Sequence, residues 1–427
     1  MHVTEVIGLA TPTGPRIPGI HDQKVTDTEV LISHVLRTGV VVSGVVLVAG
    51  LFDYVLSPGF HQAVESAYPR TLPAVARMFP SPLSLISVGL LLLLLTPIIR
   101  VAVSILAFAA EHDRAYVAIT AAVLAVLLFS VLVLGPILGR HAHELLLGHR
   151  PDEFFLIFGG SILAGFVGSL VGLGGGVFVV PLLTIVFGIP IQDAIGASIV
   201  SVIATSSGAA AAYVRDRMSN LRVGMFLEIA TSVGAVSGAV LAAVVNDRFL
   251  FITFGLVLIL SVIPLLRDLG QEVPEPVTPD RLSRLLRLGS SYPDERLGRE
   301  VAYQVTGVPV GLGMMYVAGA ISGLLGIGSG TFKVLAMDTA MRLPMKVSTT
   351  TSNFMIGVTA AASAGIYFER GHMNPLIAAP VALGVLLGAS SGAIALPHMT
   401  NVWVRKLFLP LIVAVGAEML LRAMGVL

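Results

Sequence analysis

The stretches GLGGGVFVVP at residues 172–181 and GIGSGTFKVL at 326–335 are the parts of this chain whose composition could hold a ligand. Glycine lets a ligand approach the backbone closely. A helix starting just after such a turn leaves its first N–H groups unpaired, and its dipole adds about half a positive charge there. Gly172, Gly174, Gly175 and Gly176 in the first cluster, with Gly326, Gly328, Ser329, Gly330 and Thr331 in the second, are therefore expected to cradle an anion. Lys333 adds a full positive charge in an apolar run whose counterpart in the first stretch is Val179. A lysine inside a bilayer costs about 2.5–3.5 kcal/mol, so it needs a partner or a task. The task would be to hold an anionic substrate; the alternatives are a pair with Asp338 or snorkelling to the surface. Ser198, Ser352 and Asn353 offer hydroxyl and amide groups to the same ligand, unless the hydroxyls cap backbone within their own helices.

Other chemistries fail on spacing. A phosphate-binding loop needs G-x-x-x-x-G-K-[ST], and Lys333 follows Gly330 too late for it. A dinucleotide fingerprint would need glycine where Val177 stands, and a G-x-S-x-G nucleophile elbow around Ser329 finds Ile327 and Thr331 instead. His141, His143, His149 and Glu144 fit no standard metal spacing and read as a solvated joint. With no cysteine in the chain, disulfides, thiolate metal sites and thiol-based sulfur relays are excluded. No cofactor or metal is expected. Glu228 and Glu418 are expected at the membrane interface, Glu418 paired with Arg422 at i, i+4.

The elements that must position these residues are membrane helices. The chain is 55% hydrophobic and 12% charged, about half the charge of a soluble domain. Apolar segments of about 20 residues, the length that spans a bilayer, recur along it. Residues 1–32 form a polar segment without the apolar core of a signal peptide, expected to stay uncleaved in the cytoplasm. Residues 33–140 hold three apolar segments and read as a three-helix accessory domain, expected to pack outside the rest and to line no part of a substrate cavity. Residues 154–266 and 303–427 read as two permease repeats joined by a polar cytoplasmic linker at 267–300. The chain has no basic tract that could grip phosphates, and nucleic acid is not expected as a partner.

The two later blocks match at a constant offset. Gly172, Gly174 and Gly176 pair with Gly326, Gly328 and Gly330, and Pro190, Ser198 and Thr205 with Pro344, Ser352 and Thr359. Each glycine cluster sits within an apolar stretch too long for one span, and glycines cost a helix about 1 kcal/mol each, so a helix break is expected in both. Broken helices at matching positions of two repeats point to a transporter's substrate site. Arg215, Arg217 and Arg222, with Arg342, Lys346, Arg405 and Lys406, fall on the cytoplasmic side if the second copy is upside down. The expected fold is thus all-α and polytopic: two inverted repeats, each a glycine-broken helical hairpin plus three transmembrane helices.

Over about residues 154–425 the paired glycine clusters, Pro190, Pro344 and TSNFMIGVTAAASAG at 351–365 resemble the sulfite and organosulfonate exporter family, TauE/SafE. Ser329 departs from the glycine common at that place. The first 140 residues resemble a three-span domain of unknown function found beside such permeases. The resemblance implies a multi-pass cell-membrane permease that moves sulfite, a sulfonate or another small anion. Alternating access around the two glycine turns is expected; a regulated anion channel with the N-terminal domain as gate or assembly module is the alternative, and a homo-oligomer stays open. An intramembrane enzyme would need a buried nucleophile–base or metal constellation that the sequence does not offer.

Overall fold

The computed structural model describes residues 27–56, 72–139, 151–171, 175–215, 218–266, 277–294, 299–395 and 401–425. Gly172 and Gly174, most of the polar N-terminal segment and the histidine-bearing joint lie outside the described residues.

Runs of apolar, strongly helix-forming residues punctuated by proline and capping side chains set the element order. The N-terminal region holds α1 (Asp27–Leu56), short α2 (Leu72–Met78), α3 (Pro82–Ala110) and α4 (Arg114–Phe129), which continues through a π-turn into α5 (Gly135–Gly139). Ser81 caps α3 by accepting from the Ser84 N–H at 3.3 Å, with Pro82 at the first helical position, where its missing donor costs nothing. The first permease half holds α6 (Pro151–Val171), α7 (Gly176–Pro181) with a π-turn to Val186, α8 (Ile191–Arg215), α9 (Leu221–Val244) and α10 (Asp247–Leu266). After α11 (Arg281–Leu285) and an antiparallel hairpin of β1 (Ser290–Asp294) and β2 (Arg299–Tyr303), the second half holds α12 (Val308–Leu325), α13 (Gly330–Leu335) with a π-turn to Ala340, α14 (Met345–Glu369), α15 (Pro375–Ala395) and α16 (Asn401–Ala423). Six helices among the described residues are long and apolar enough to cross a bilayer, on α1, α3, α4–α5, α9, α12 and α15. The protein is a helical, multi-pass membrane protein.

Element bounds repeat along with the sequence. Adding 154 to Gly176–Pro181 and Ile191–Arg215 gives the bounds of α13 and α14, Gly330–Leu335 and Met345–Glu369. Contacts repeat too. On α6 and α15, Gly165 lies against the backbone of Val385 and Gly388 against that of Ile162; on α12 and α9, Gly319 lies against Thr231 and Gly234 against Tyr316. Each contact of the first seam becomes one of the second when the halves are exchanged. Equivalent helices run antiparallel where they touch. Asp193 near the start of α8 meets His372 just past the end of α14, while Ser206 further along α8 meets Gly357 further back along α14.

The polar linker is not merely a tether. Its hairpin buries Leu288, Tyr292 and Tyr303 against Val223, Phe354 and Met337, at one end of the helical body. Asn220 fastens it, donating from Nδ2 to the Leu288 carbonyl at 3.0 Å and to the Tyr303 hydroxyl at 2.8 Å, and Tyr116 Oη donates to the Leu286 carbonyl at 2.9 Å. Burial raises the Tyr303 phenol above the ordinary tyrosine range, which keeps it neutral. Composition hid this hairpin because its few apolar side chains find their partners on distant helices.

Candidate substrate site

The second glycine cluster is a break between two helices. α12 ends at Leu325; Gly326 (φ 67°), Gly328 (φ 72°) and Ser329 (φ 49°) then take left-handed backbone, and α13 begins at Gly330. Left-handed conformation is open to glycine and strains serine, the physical meaning of the departure at 329. In the first cluster α6 ends at Val171 and α7 begins at Gly176, with Gly175 just before it. Both breaks are held by side chains. Tyr367 Oη lies 3.0 Å from the Gly323 carbonyl and 3.2 Å from that of Leu324, groups that a helix end leaves without intrahelical partners.

The described parts of the two breaks meet. Ser198 Oγ lies 2.8 Å from the Gly326 carbonyl and 3.2 Å from that of Gly176, so one hydroxyl spans both turns. Its repeat partner Ser352 donates to the Gly330 carbonyl at 3.2 Å. Neither serine caps its own helix. A Cβ on Gly176 would stand 2.6 Å from Val202 Cγ2, 2.7 Å from Ser198 Oγ and 3.0 Å from the Gly326 oxygen, so a side chain there would have to displace these neighbours. Thr331 and Asn353 are half-buried on α13 and α14. Ser329 is buried, and its Oγ has no hydrogen-bond partner among the described residues.

Lys333 is fully buried, and its partner is neither Asp338 nor the surface. Its Nζ donates to Thr359 Oγ1 at 2.6 Å, and Thr359 Oγ1 in turn lies 2.8 Å from Glu228 Oε1, to which it can donate. Ser232 Oγ donates to the same carboxylate oxygen at 3.1 Å, while Glu228 Oε2 has no partner among the described residues. Glu228, expected at the membrane interface, is therefore corrected to a buried position (1% exposed) on α9. A lone carboxylate on an apolar helix can be tolerated in the interior only with donors around it, and Thr359 of α14 and Ser232 of α9 supply them. The signal existed: Glu228 corresponds to Ala382 in the repeat register, the same charged-against-apolar departure that singled out Lys333 against Val179. Glu418 does pair with Arg422, at 3.4 Å, and Arg422 also donates to the Thr184 carbonyl at 3.1 Å.

A third charge comes from outside the repeats. Arg100 on α3 is 0% exposed, donates from Nη2 to the Phe354 carbonyl on α14 at 2.5 Å, and lies over the Phe354 ring at 4.2 Å. It interacts electrostatically with both Glu228 and Lys333. The N-terminal helices, expected to pack outside the repeats, lie against them and send Arg100 into the buried interior. They pack on α8, α9, α14 and α15, and Ser130 donates to the Ala362 carbonyl. Arg222 at the base of α9 is held by Asp113 at 3.1 Å and Glu111 at 3.6 Å. Among the described residues, no group of three or more histidine, aspartate or glutamate side chains could hold a metal ion.

Sequence similarity places this chain among proteins already grouped as membrane transporters. The chain is 27% identical over 267 residues to the probable membrane transporter protein YunE of Bacillus subtilis, covering 61% of this chain and 94% of the relative. It is 27% identical over 233 residues to the probable membrane transporter protein YdhB of the same organism, covering 54% and 85%. A probable membrane transporter protein of Sinorhizobium, ORF9, is 24% identical over 274 residues, covering 63% and 91%. No solved structure matches. Residues 32–132, which hold Arg100, match a family described as a protein of unknown function, DUF1634. Residues 157–419, from the start of α6 to the last turns of α16, match the family described as sulfite exporter TauE/SafE, and the chain is a membrane transporter of that family.

Proposed function

We propose that this transporter moves a small anion, sulfite or a sulfonate or a related oxyanion, by alternating access around the paired glycine breaks. The observation that carries the reading is Lys333: a fully buried cation on the half-helix that follows the second break, in a body whose two breaks share the Ser198 hydroxyl. Gly175, Gly176, Gly326, Gly328, Ser329, Gly330, Thr331, Ser198, Ser352 and Asn353 would line the site with backbone and hydroxyl groups; Gly172 and Gly174 belong to the same proposal from sequence alone. The antiparallel packing of the equivalent helices α8 and α14, and the exchange of contacts between the α6–α15 and α9–α12 seams, support an inverted duplication, since a two-fold axis along the helices would leave equivalents parallel. Such a body can rock one half against the other around a fixed centre.

Purified protein in proteoliposomes tests this. Sulfite uptake should saturate with concentration, and preloading with unlabelled sulfite should accelerate labelled entry by counterflow. Flux that rises linearly without counterflow would instead identify a channel, and absence of sulfite and sulfoacetate flux would remove the anion reading.

A further inference from the structure

We propose that Arg100, carried by α3 of the N-terminal region, completes the anion site by adding a second buried positive charge beside Lys333, one more than Glu228 can balance. The proposal rests on the small-anion reading above and names a charge partner that neither family match assigns.

The argument begins with charge. Three buried ionisable groups interact here: Arg100 and Lys333, each 0% exposed, and Glu228 at 1%. Ionised, they sum to one positive charge. Lys333 and Glu228 already serve each other through Thr359. Asp193, the other buried acid among the described residues, is taken by His372 at 2.8 Å, near the start of α8. Ser206, which faces Gly357 beside Arg100, lies 13 residues further along α8, about 20 Å at 1.5 Å per residue. With Lys333 ionised, Arg100 therefore shares its one buried carboxylate, Glu228, with a second cation. A lysine could relieve such burial by losing its proton, but a guanidinium does not deprotonate in a protein. A buried cation in excess of its counter-charges is costly, so with Lys333 ionised the site is in deficit by one negative charge.

Hydrogen bonding points the same way. Arg100 uses Nη2 on the Phe354 carbonyl, while Nε and Nη1, with three N–H bonds between them, have no partner among the described residues. Buried guanidinium donors are rarely left idle, because each forfeits its bond to water. The stem is held: the guanidinium stacks on Phe354, and α3 packs on α8, α14 and α15. Arg100 is thus a fixed cation with free donors, beside a lysine with which it shares one carboxylate. Its ligand is a small oxyanion carrying one net negative charge, which both neutralises the cluster and accepts the idle N–H groups. A doubly charged anion would restore balance only if Glu228 took up a proton. The N-terminal region then belongs to the binding machinery.

The test uses the full-length protein in detergent, titrated calorimetrically with sodium sulfite and with sodium gluconate as the ionic-strength control. Arg100→Met keeps the stem and removes the charge; it should weaken sulfite binding roughly ten- to a hundred-fold. Arg100→Lys should recover most of that loss. If Arg100→Met does not fold, Arg100→Gln keeps a donor for the Phe354 carbonyl while removing the charge, and should bind sulfite at least tenfold more weakly. Parental affinity in Arg100→Met, or in Arg100→Gln, would overturn the Arg100 assignment while leaving the anion reading intact. A parent protein that binds neither sulfite nor sulfoacetate would sink the anion reading, and this proposal with it.

Discussion

At the residue scale, Lys333 and Glu228 show how one buried charge calls for another. Thr359 is the hinge of the pair, accepting from the lysine and facing the carboxylate, whereas its repeat partner Thr205 bonds back to the Ser201 and Val202 carbonyls of its own helix, at 3.1 and 3.2 Å. The two halves are thus alike in backbone and unlike in charge, and the asymmetry marks the chemistry. Lys333→Met should weaken sulfite binding by roughly ten- to a hundred-fold, the loss expected of one charge-assisted contact worth about 1.5–3 kcal/mol. Val179→Met, at the matching place in the first half, should change affinity much less. Calorimetric titration of both checks this, and parental binding by Lys333→Met would make the lysine a purely structural partner of Glu228. Lysine 333 was legible because a charge interrupts an apolar run. Its partner was not, because a sequence does not state which helix faces which.

At the element scale, small residues decide how closely the helices approach. A Cβ added at Gly323 on α12 would collide with the backbone of Ala235 on α9, so Gly323→Ala must push two helices apart. Overpacking of this kind costs about 1–3 kcal/mol. On the same helix Gly313 has nothing within 4 Å of an added Cβ. Gly313→Ala should therefore be neutral or stabilising, by up to about 1 kcal/mol from helix propensity. Thermal unfolding in detergent should separate the two; equal melting temperatures would mean that the α9–α12 seam tolerates expansion. The breaks themselves follow from local chemistry, since Gly326 and Gly328 adopt backbone that other residues resist.

At the scale of the whole molecule, the N-terminal helices and the linker hairpin are built into the permease body. α3 sends Arg100 to the Phe354 carbonyl, α4 sends Tyr116 to the linker, and Arg222 of α9 returns to Asp113. Deleting residues 1–140 should abolish sulfite binding even where the remainder stays monodisperse, because Arg100 goes and the faces of α8 and α14 that α3 covers are exposed. Size-exclusion chromatography followed by titration checks this. A monodisperse truncation with parental affinity would restore the picture of an independent accessory domain.

The amino-acid order by itself determined the class of the molecule and the register of its duplication. Both are properties of a line: apolar runs of bilayer length are counted along the chain, and Gly176 and Gly330 announce themselves by a constant offset. Helix breaks were legible for the same reason, since glycine acts on its own backbone. Tertiary structure alone decided which charges meet. Lys333 and Thr359 are 26 positions apart, Thr359 and Glu228 are 131 apart, and Arg100 and Phe354 are 254 apart. Their meeting depends on how whole helices pack, and packing is set by the summed shape of apolar faces and glycine seams, with no local mark on the charged residues themselves.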